Sequence, residues 1–222
     1  MEQEEARRPG RRARVSRDQV LDAALAIADE GGLGAITMAS VGARLGVEAM
    51  SLYRHIGNKE EMLDGLVDRV FAEIVLPHDA DNWRDAMRRR AVSAHEALRR
   101  HPWAIGLMES RAQPGPATLA HHDANVAVFL RAGFSGRETT RIYNLIDSYV
   151  YGFALQEATL PFSSAEEMAS MSEQMMAAVA DAYPDLAAIQ RELAGSGFVY
   201  ADEFEAGLDI IMGALPEPSQ SE

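Results

Sequence analysis

The sequence of 222 residues contains no cysteine. This absence excludes a disulfide framework, a thiolate metal site and a cysteine nucleophile. Long hydrophobic runs are missing too, because no apolar stretch approaches the roughly 18 residues that a membrane-spanning helix needs. The first residues also lack the apolar segment of a secretory signal. We therefore expect a soluble protein of the cytoplasm that has no membrane partner.

Basic residues are scarce overall, since 21 Lys and Arg stand against 34 Asp and Glu and give a net charge of -13. Between Ala6 and Lys59, however, nine basic residues face five acidic ones, and five of the nine lie between Arg7 and Arg14. The distribution of charge says more about possible partners than the total does. We predict a flexible basic arm at residues 1–13 and an N-terminal module that can contact phosphate, attached to an acidic body. An arm that only improves solubility is the alternative.

Apolar residues recur at helical spacing after Ser16, and no alternating strand of useful length is present, so the predicted fold class is all-α. Ser16 and Thr37 are candidate N-caps of the first two helices, which are expected to end at Gly31-Gly32 and at Gly46. Later helices are predicted from Ala49 to Ile56, Lys59 to Pro77, Trp83 to Arg100, just after Pro102, Leu119 to Gly133, residues 137–160, around the methionines at 168–176 and at residues 202–215, before a polar tail at 216–222.

Short helices joined by a glycine turn at Gly46 are typical of a helix-turn-helix, whose second helix lies in the major groove of DNA. Leu52 and Ile56 lie four residues apart and would pack this helix on its own domain. Base edges and phosphates would then be met by the small or polar residues that remain, which are Ala49, Met50, Ser51, Tyr53, Arg54 and His55. A packing corner with no role in DNA binding is the alternative.

Lys59 follows this helix at a position suited to an anion. It begins the next predicted helix, where free main-chain amides and the positive end of the helix dipole favour phosphate. We therefore expect the lysine and the helix terminus to act on the same phosphate.

The run ITMASVGARLGVEAMSLYRHIGNKEEMLDGL, from Ile36 to Leu66, resembles the DNA-binding signature of the TetR (tetracycline-repressor-like) family of transcriptional regulators. The likeness depends on Leu45-Gly46-Val47, on Leu52 to His55 and on Asn58-Lys59. It implies a homodimer that binds a palindromic operator in double-stranded DNA, represses transcription and is released by a small-molecule effector. The family fold implied is a three-helix helix-turn-helix domain, here residues 14–62, joined to a larger helical ligand-binding and dimerisation domain, here residues 63–215.

The resemblance also implies roles for single residues. Thr37, Tyr53 and Lys59 would contact phosphate, His55 would lie at the backbone edge, and Ala49, Met50 and Ser51 fall where the family reads bases. The chain departs from the family's namesake repressor at Ala39 and Ala49, where that protein has a base-reading arginine and a glutamine. Base readout by bidentate pairs is therefore sparse. We expect Arg44 and Arg54, together with Arg14 or neighbouring arginines of the arm, to compensate, in part through an adjacent minor groove.

Dimerisation is expected through the helices at 137–160 and 202–215, although both apolar stripes could instead be monomer core. The candidate effector pocket combines aromatic walls with a few polar groups, as small-molecule sites do. Its residues are Trp103, Met108, Asn125, Phe129, Tyr143, Asp147 and Tyr151, each of which could also be ordinary core.

His121 and His122 suggest a metal site, but neighbouring residues on a helix point about 100° apart. We therefore expect them to be solvent-exposed, and we predict no metal and no cofactor. Motifs of hydrolytic or phosphate-binding enzymes are absent from the sequence, so the chain is predicted not to be an enzyme. An architectural DNA-binding protein that responds to no effector is the alternative function.

Overall fold

The computed structural model describes residues 15–77, 82–108, 110–111, 113–162 and 164–219. The basic arm at 1–13 and Arg14 lie outside these ranges. Ten α-helices occur in the described chain: α1 Arg17–Gly31, α2 Met38–Leu45, α3 Ala49–Leu52, α4 Lys59–Glu73, α5 Trp83–Arg100, α6 Pro116–Arg131, α7 Gly136–Thr159, α8 Ala165–Val179, α9 Pro184–Ser196 and α10 Glu203–Ala214. Since no strand occurs in these ranges, the predicted all-α class is confirmed.

Local capping signals fix several helix starts. The hydroxyl of Ser16 accepts a hydrogen bond from the amide of Gln19 at 3.2 Å, and the Gln19 side chain accepts one from the amide of Ser16 at 2.9 Å. Thr37 with Ser40, and Ser135 with Glu138, form the same reciprocal box at the starts of α2 and α7. Each box satisfies amides that a helix start leaves unpaired.

The chain divides into two compact units between Leu66 and Val67. In the first unit, the core holds apolar side chains with almost no exposed surface from α1, α2, α3, the connection after α3 and the first part of α4, among them Val20, Val41, Leu52, Ile56 and Leu66. The close fit is clearest at Gly65, where a Cβ atom would lie 2.6 Å from a methyl carbon of Leu21.

In the second unit, the alanine-rich face of α5 packs on α7 and α10. Tyr149 of α7 donates a hydrogen bond to the carbonyl of Phe204 at 2.9 Å, and Arg88 of α5 binds Glu205 and Asp209 of α10. The three helices therefore share an apolar core, and these polar contacts join them at its edge. No helix in the described ranges is both long and apolar enough to cross a bilayer.

Several predicted helix limits are wrong. The third helix ends at Leu52 instead of Ile56, and the amide of His55 donates to the carbonyl of Leu52, three residues back, at 2.8 Å, as in a tightened final turn. The fourth ends at Glu73, before Pro77. After Pro102 there is only a 3₁₀ turn, Pro102–Ala104, followed by further turns.

Helix α9 was not predicted, although Pro184 at its first position and Asp185 in its first turn are a recognised start signal. Among its described residues only Ala187 is buried, while Leu186 and Ile189 are 43% and 53% exposed.

The start of the predicted polar tail is held by side chains of the second unit. Arg84 donates hydrogen bonds to the carbonyls of Met212 and Leu215 at 2.7 and 2.8 Å and pairs with Glu217 at 2.9 Å. The hydroxyl of Ser219 bonds Glu138.

Candidate functional site

The turn between α2 and α3 depends on two glycines. Gly46 has φ 68° and ψ 32°, a left-handed conformation that side chains disfavour. The amide of Val47 donates to the Gly42 carbonyl at 2.9 Å, and a Cβ atom on Gly42 would lie 2.8 Å from the Val47 carbonyl oxygen. The two short helices can therefore approach this closely only with glycine at position 42.

Helix α3 has one side fixed in the core and one side open. Leu52 and Ile56 are buried, at 0% and 1% exposure, whereas Met50 is 76% exposed and Tyr53 47% exposed. The other candidate contacts of this segment divide into exposed Arg54 and half-buried Ala49, Ser51 and His55. The Ser51 hydroxyl donates to the Glu48 carbonyl at 2.7 Å. The open side is therefore dominated by the side chains of Met50, Tyr53 and Arg54.

Thr37 and Lys59 lie at helix starts, as predicted. Thr37 uses its hydroxyl as the α2 cap, accepting from the Ser40 amide at 3.0 Å. The Lys59 ammonium donates to the carbonyl of Leu33 at 3.3 Å. Amides around the start of α4 are partly used already, because Asn58 Oδ1 accepts from the Glu61 amide at 2.8 Å and the Glu61 carboxylate accepts from the Gly57 amide at 2.7 Å. Binding of a phosphate at this helix start would therefore depend mainly on Lys59.

Arg44, in the last turn of α2, has both terminal nitrogens bound to Glu30. Its Nη1 and Nη2 atoms lie 2.8 and 2.6 Å from the two carboxylate oxygens. Arg54 makes no ion pair with any described residue. In the free chain, therefore, one of the two arginines expected to support DNA binding is held by a carboxylate and the other is not.

The second unit contains a buried polar group around Arg90 of α5, which has no exposed surface. Its guanidinium makes an ion pair with Asp147 of α7. Its Nε and Nη2 atoms lie 3.1 and 2.8 Å from Nε2 of His121 on α6. A buried arginine needs such partners, since an unpaired charge in the interior is strongly unfavourable. We call Arg90, His121, Asn125 and Asp147 the Arg90 cluster.

The Arg90 contacts assign the tautomer of His121. Because a guanidinium only donates hydrogen bonds, Nε2 must accept, and the ring proton lies on Nδ1. Burial, reinforced by the charge of Arg90, lowers the pKa of His121 to about 2, so the ring is neutral near pH 7. Nδ1 is a buried donor without a hydrogen-bond partner among the described residues.

Asn125 provides the matching acceptor one helical turn later. Its Nδ2 group donates to the His121 carbonyl at 2.8 Å, which identifies Oδ1 as the oxygen that remains. Oδ1 is buried and has no partner in the part of the chain that the structure describes. Residues four apart lie on the same face of a helix, so α6 presents an unpaired donor and an unpaired acceptor side by side.

Aromatic rings lie close to His121 and Arg90. Phe71 lies 5.1 Å from the ring of His121 and 5.6 Å from that of His122, between centroids. His122 Nδ1 lies 2.8 Å from the Tyr143 hydroxyl, and the Arg90 guanidinium lies 5.4 Å from the centre of the Tyr143 ring. Unpaired polar atoms within aromatic walls are the usual make-up of a small-molecule site.

Comparison with known proteins places both units in one family. Residues 20–66 match the model described as "Bacterial regulatory proteins, tetR family", and residues 76–216 match "Tetracyclin repressor-like, C-terminal domain". The chain belongs to the TetR family. It is therefore a DNA-binding transcriptional regulator and not an enzyme, which confirms the predicted family and the predicted absence of enzymatic activity.

TetR-family relatives match most of the chain. It is 31% identical over 223 residues to "HTH-type transcriptional repressor DrrR1" of Streptomyces coeruleorubidus, covering 94% of this chain and 81% of that protein. It is 28% identical to "Tetracycline repressor protein class A from transposon 1721" of Escherichia coli, covering 88% of each. ActR of Streptomyces coelicolor, in a crystal structure with actinorhodin, matches 91% of this chain and 96% of its own with a TM-score of 0.76 and 22% identity. This likeness shows that the two chains share a fold.

The structure brings together three of the residues predicted for the pocket. Asn125, Tyr143 and Asp147 all border Arg90 or its partner His121. Of the other predicted residues, Met108 and Phe129 are buried in the apolar core, and Trp103 and Tyr151 are half-buried beside it.

Sequence reasoning missed Arg90 and assigned the histidines wrongly. His121 has no exposed surface and His122 is half-buried, so the expectation that both are solvent-exposed is wrong. A signal for Arg90 was present, because it follows Met87 by three positions and precedes Ala94 by four, on the apolar face of α5. No three His, Asp or Glu side chains of the described ranges are placed to hold a metal ion.

A separate cavity of about 420 Å³ lies between α8 and α9. Its walls are mostly apolar and include Met168, Met171, Met175, Leu193 and Phe198. Methionine side chains adapt to irregular shapes. The cavity shares no residue with the Arg90 cluster or with the pocket predicted from the sequence.

Proposed function

We propose that this TetR-family chain is a homodimeric repressor that binds a palindromic operator and is released by a small-molecule effector. It would act on DNA in the cytoplasm. The observation that carries the effector part is the unpaired donor and acceptor at His121 and Asn125. Buried polar groups without partners are uncommon, and leaving them unpaired is costly. A ligand that satisfies both atoms would therefore gain affinity from them.

The cluster restricts the chemistry of the effector. His121 Nδ1 offers a hydrogen to an acceptor, and Asn125 Oδ1 requires a donor, so the effector should carry a hydroxyl group or an adjacent hydroxyl and carbonyl. No net charge is required, because Asp147 already balances Arg90. Phe71 and Tyr143 favour a flat ring beside these groups. A neutral hydroxylated aromatic ketone fits these conditions.

On the DNA side, we propose that the open side of α3 enters the major groove. Met50 and Tyr53 are exposed while Leu52 holds the helix in place, as such docking requires. The proposed contact set is unchanged from the sequence: Thr37, Arg44, Ala49, Met50, Ser51, Tyr53, Arg54, His55 and Lys59. The hydroxyl of Thr37 already accepts a hydrogen bond from the Ser40 amide, and the hydroxyl of Ser51 already donates one to the Glu48 carbonyl. Contact with DNA would add a second partner to each hydroxyl.

Exposed apolar residues on α7 and α10 support the homodimer. Leu145 and Leu155 of α7 are 48% and 52% exposed, and Ile210 of α10 is 75% exposed. Other faces of the same helices form the core, through residues such as Ile146 and Leu208. Each helix therefore has one face for the monomer core and further apolar residues available for a partner, as pairing of two-fold related copies requires.

Selection of binding sequences from random DNA duplexes tests the operator proposal. The selection should be run at two salt concentrations, because attraction to phosphate weakens with salt while base readout persists. We expect one palindromic sequence to be enriched at both concentrations. Binding that is salt-sensitive and indifferent to sequence would contradict the operator proposal and favour the architectural alternative.

The effector proposal is tested with 1,8-dihydroxyanthraquinone as a neutral hydroxylated aromatic ketone probe. We expect the probe to bind the wild-type chain and to release the selected operator, and Asn125→Leu to lose both effects while still binding DNA. The control is Gln174→Leu, which likewise replaces an amide by leucine, at an exposed position of α8 outside the proposed pairing helices. Equal probe response in the wild type and Asn125→Leu would rule out this site. Release requires the effector to prefer the conformation with low affinity for DNA.

A further inference from the structure

The folded part of the DNA-binding unit has few positive charges. Residues 15–66 contain four Lys and Arg against eight Asp and Glu. The basic residues are Arg17, Arg44, Arg54 and Lys59. Since affinity for DNA depends strongly on cations that contact phosphate, the state of each of these four side chains matters.

Arg44 is the basic residue of this set that is held most completely by an acid. Glu30, at the end of α1, binds both of its terminal nitrogens, at 2.8 and 2.6 Å. The only other ion pair among the described residues of this unit, Arg17 with Glu61, is longer, at 3.7 Å. The hydrogen bonds from Arg44 lower the pKa of Glu30, so its carboxylate is charged near neutral pH.

The geometry of the pair is that of phosphate recognition. A guanidinium binds carboxylate and phosphate through the same two parallel N–H groups. While Glu30 holds both groups, a DNA phosphate can reach Arg44 in this way only by displacing the carboxylate. The side chains of Arg44 and Glu30 are 39% and 65% exposed, so water and DNA can both reach the pair.

We propose that Glu30 competes with DNA phosphate for Arg44 and so lowers the affinity of the free protein for DNA of any sequence. The proposal rests on the proposed function, since it needs a DNA-binding face that includes Arg44. An exposed ion pair is weak enough to open, so Glu30 reduces phosphate binding without preventing it. The penalty is the same for operator and random-sequence DNA, so binding to both is weaker while the ratio of the two affinities is unchanged.

If Glu30 positioned Arg44 for DNA, its removal would change the affinity for DNA in the opposite direction. If Glu30 instead held Arg44 in the orientation that DNA requires, then removing the carboxylate would weaken binding. The sign of the change in affinity for a random-sequence duplex therefore separates a competitor from a positioning residue.

The experiment measures binding of a random-sequence duplex by fluorescence anisotropy across a salt series, with the full chain. We expect Glu30→Gln to bind about two- to five-fold more tightly at low salt, the scale of one exposed pair. The slope of log affinity against log salt should steepen by up to about 0.9, the value for one added phosphate contact. In an Arg44→Ala background, Glu30→Gln should have no more effect than the loss of a negative charge at the neighbouring Asp29, because the group for which it competes is gone.

Asp29→Asn is the matched control, since it removes one negative charge from the neighbouring exposed position. Its effect should be smaller than that of Glu30→Gln and should persist in Arg44→Ala. Weaker or unchanged binding by Glu30→Gln would overturn the competitor role, and so would an equal gain in the Arg44→Ala background. If the wild-type chain bound no DNA at all, both this inference and the proposed function would fail, whereas DNA binding by a wild type that Glu30→Gln does not improve would contradict the inference alone.

Discussion

Arg90 has the largest fully buried side chain of the described residues, and its neighbours explain how the core accommodates it. Asp147 supplies the opposite charge and His121 accepts from two of its nitrogens. A paired buried charge is tolerated, but a buried charge that loses its partner is strongly destabilising. The cluster therefore links the stability of the second unit to the residues proposed to bind the effector.

Asp147→Asn should lower the free energy of unfolding by about 3–5 kcal/mol, because it leaves the charge of Arg90 buried without its counter-ion. Urea unfolding at pH 7 measures the change. The control is the double variant Arg90→Met with Asp147→Leu, which replaces the pair by apolar side chains of similar size and should recover most of the loss. A single variant as stable as the wild type would show that Arg90 is compensated by other groups.

Acid should destabilise the protein partly through His121. Its pKa in the folded state is about 2, well below its ordinary value of 6.5, so below about pH 6.5 the unfolded chain binds a proton that the folded chain does not. This contribution to stability is complete above pH 6.5 and is lost as the pH falls. From pH 7 to pH 5 the loss should be about 2 kcal/mol.

Urea unfolding at the two pH values, compared with His121→Gln, checks this effect of acid. The variant cannot take up a proton at this position, so its stability should fall by about 2 kcal/mol less over the same interval. His122→Gln makes the same change at the half-buried neighbour and should keep the contribution of His121. Equal acid sensitivity in the wild type and His121→Gln would be inconsistent with a neutral, buried His121.

Among the elements, the short helices α2 and α3 are positioned by their turn more than by their own stability. A four-residue helix such as α3 cannot persist alone in water, because forming the first turn fixes several residues for few hydrogen bonds. Its place is set by Leu52 in the core and by the contact between Gly42 and Val47. The orientation of the DNA-reading residues therefore depends on backbone packing at Gly42.

Gly42→Ala should displace α3 and weaken binding to the selected operator by about ten-fold or more. The added methyl group would lie 2.8 Å from the Val47 carbonyl oxygen, and overpacking of this kind costs about 1–3 kcal/mol. Operator affinity and thermal unfolding should both be measured. Gly34→Ala is the control, since its Cβ atom would meet nothing within 4 Å. Wild-type affinity in Gly42→Ala would show that the turn yields without moving α3.

At the scale of the whole molecule, two copies must combine before a palindrome can be read, since each chain carries a single helix-turn-helix. The exposed apolar residues of α7 and α10 are the surface that we propose for this pairing. The net charge of -13 opposes the association of two chains, so apolar contact has to provide the attraction. Assembly and operator binding should therefore be lost together.

Ile210→Glu should shift the protein towards monomers and lower operator affinity by at least ten-fold, because it places a charge in the proposed apolar contact. Sedimentation equilibrium gives the oligomeric state, and circular dichroism shows whether the helices persist. Ile189→Glu is the control, at an exposed isoleucine of α9, outside the proposed pairing helices. A dimer of wild-type affinity in Ile210→Glu would exclude α10 from the interface.

Local signals in the sequence are sufficient to predict several elements of this fold. Ser16 and Thr37 cap their helices as the patterns indicated, and Gly46 adopts the left-handed turn. Such signals involve hydrogen bonds and backbone angles within about four residues, so they can be read before the chain is folded. The helix-turn-helix is built from these signals, which is why the sequence was sufficient to indicate the family.

Only the tertiary structure decided which side of each helix is covered. Leu119 and Leu130 of α6 are exposed while His121 is buried, the reverse of what hydropathy predicts, because α6 turns its polar groups towards Arg90. Arg90 in turn is paired with Asp147, 57 residues further along the chain. Burial and charge pairing depend on neighbours brought together by folding, and spacing along the sequence does not reveal them.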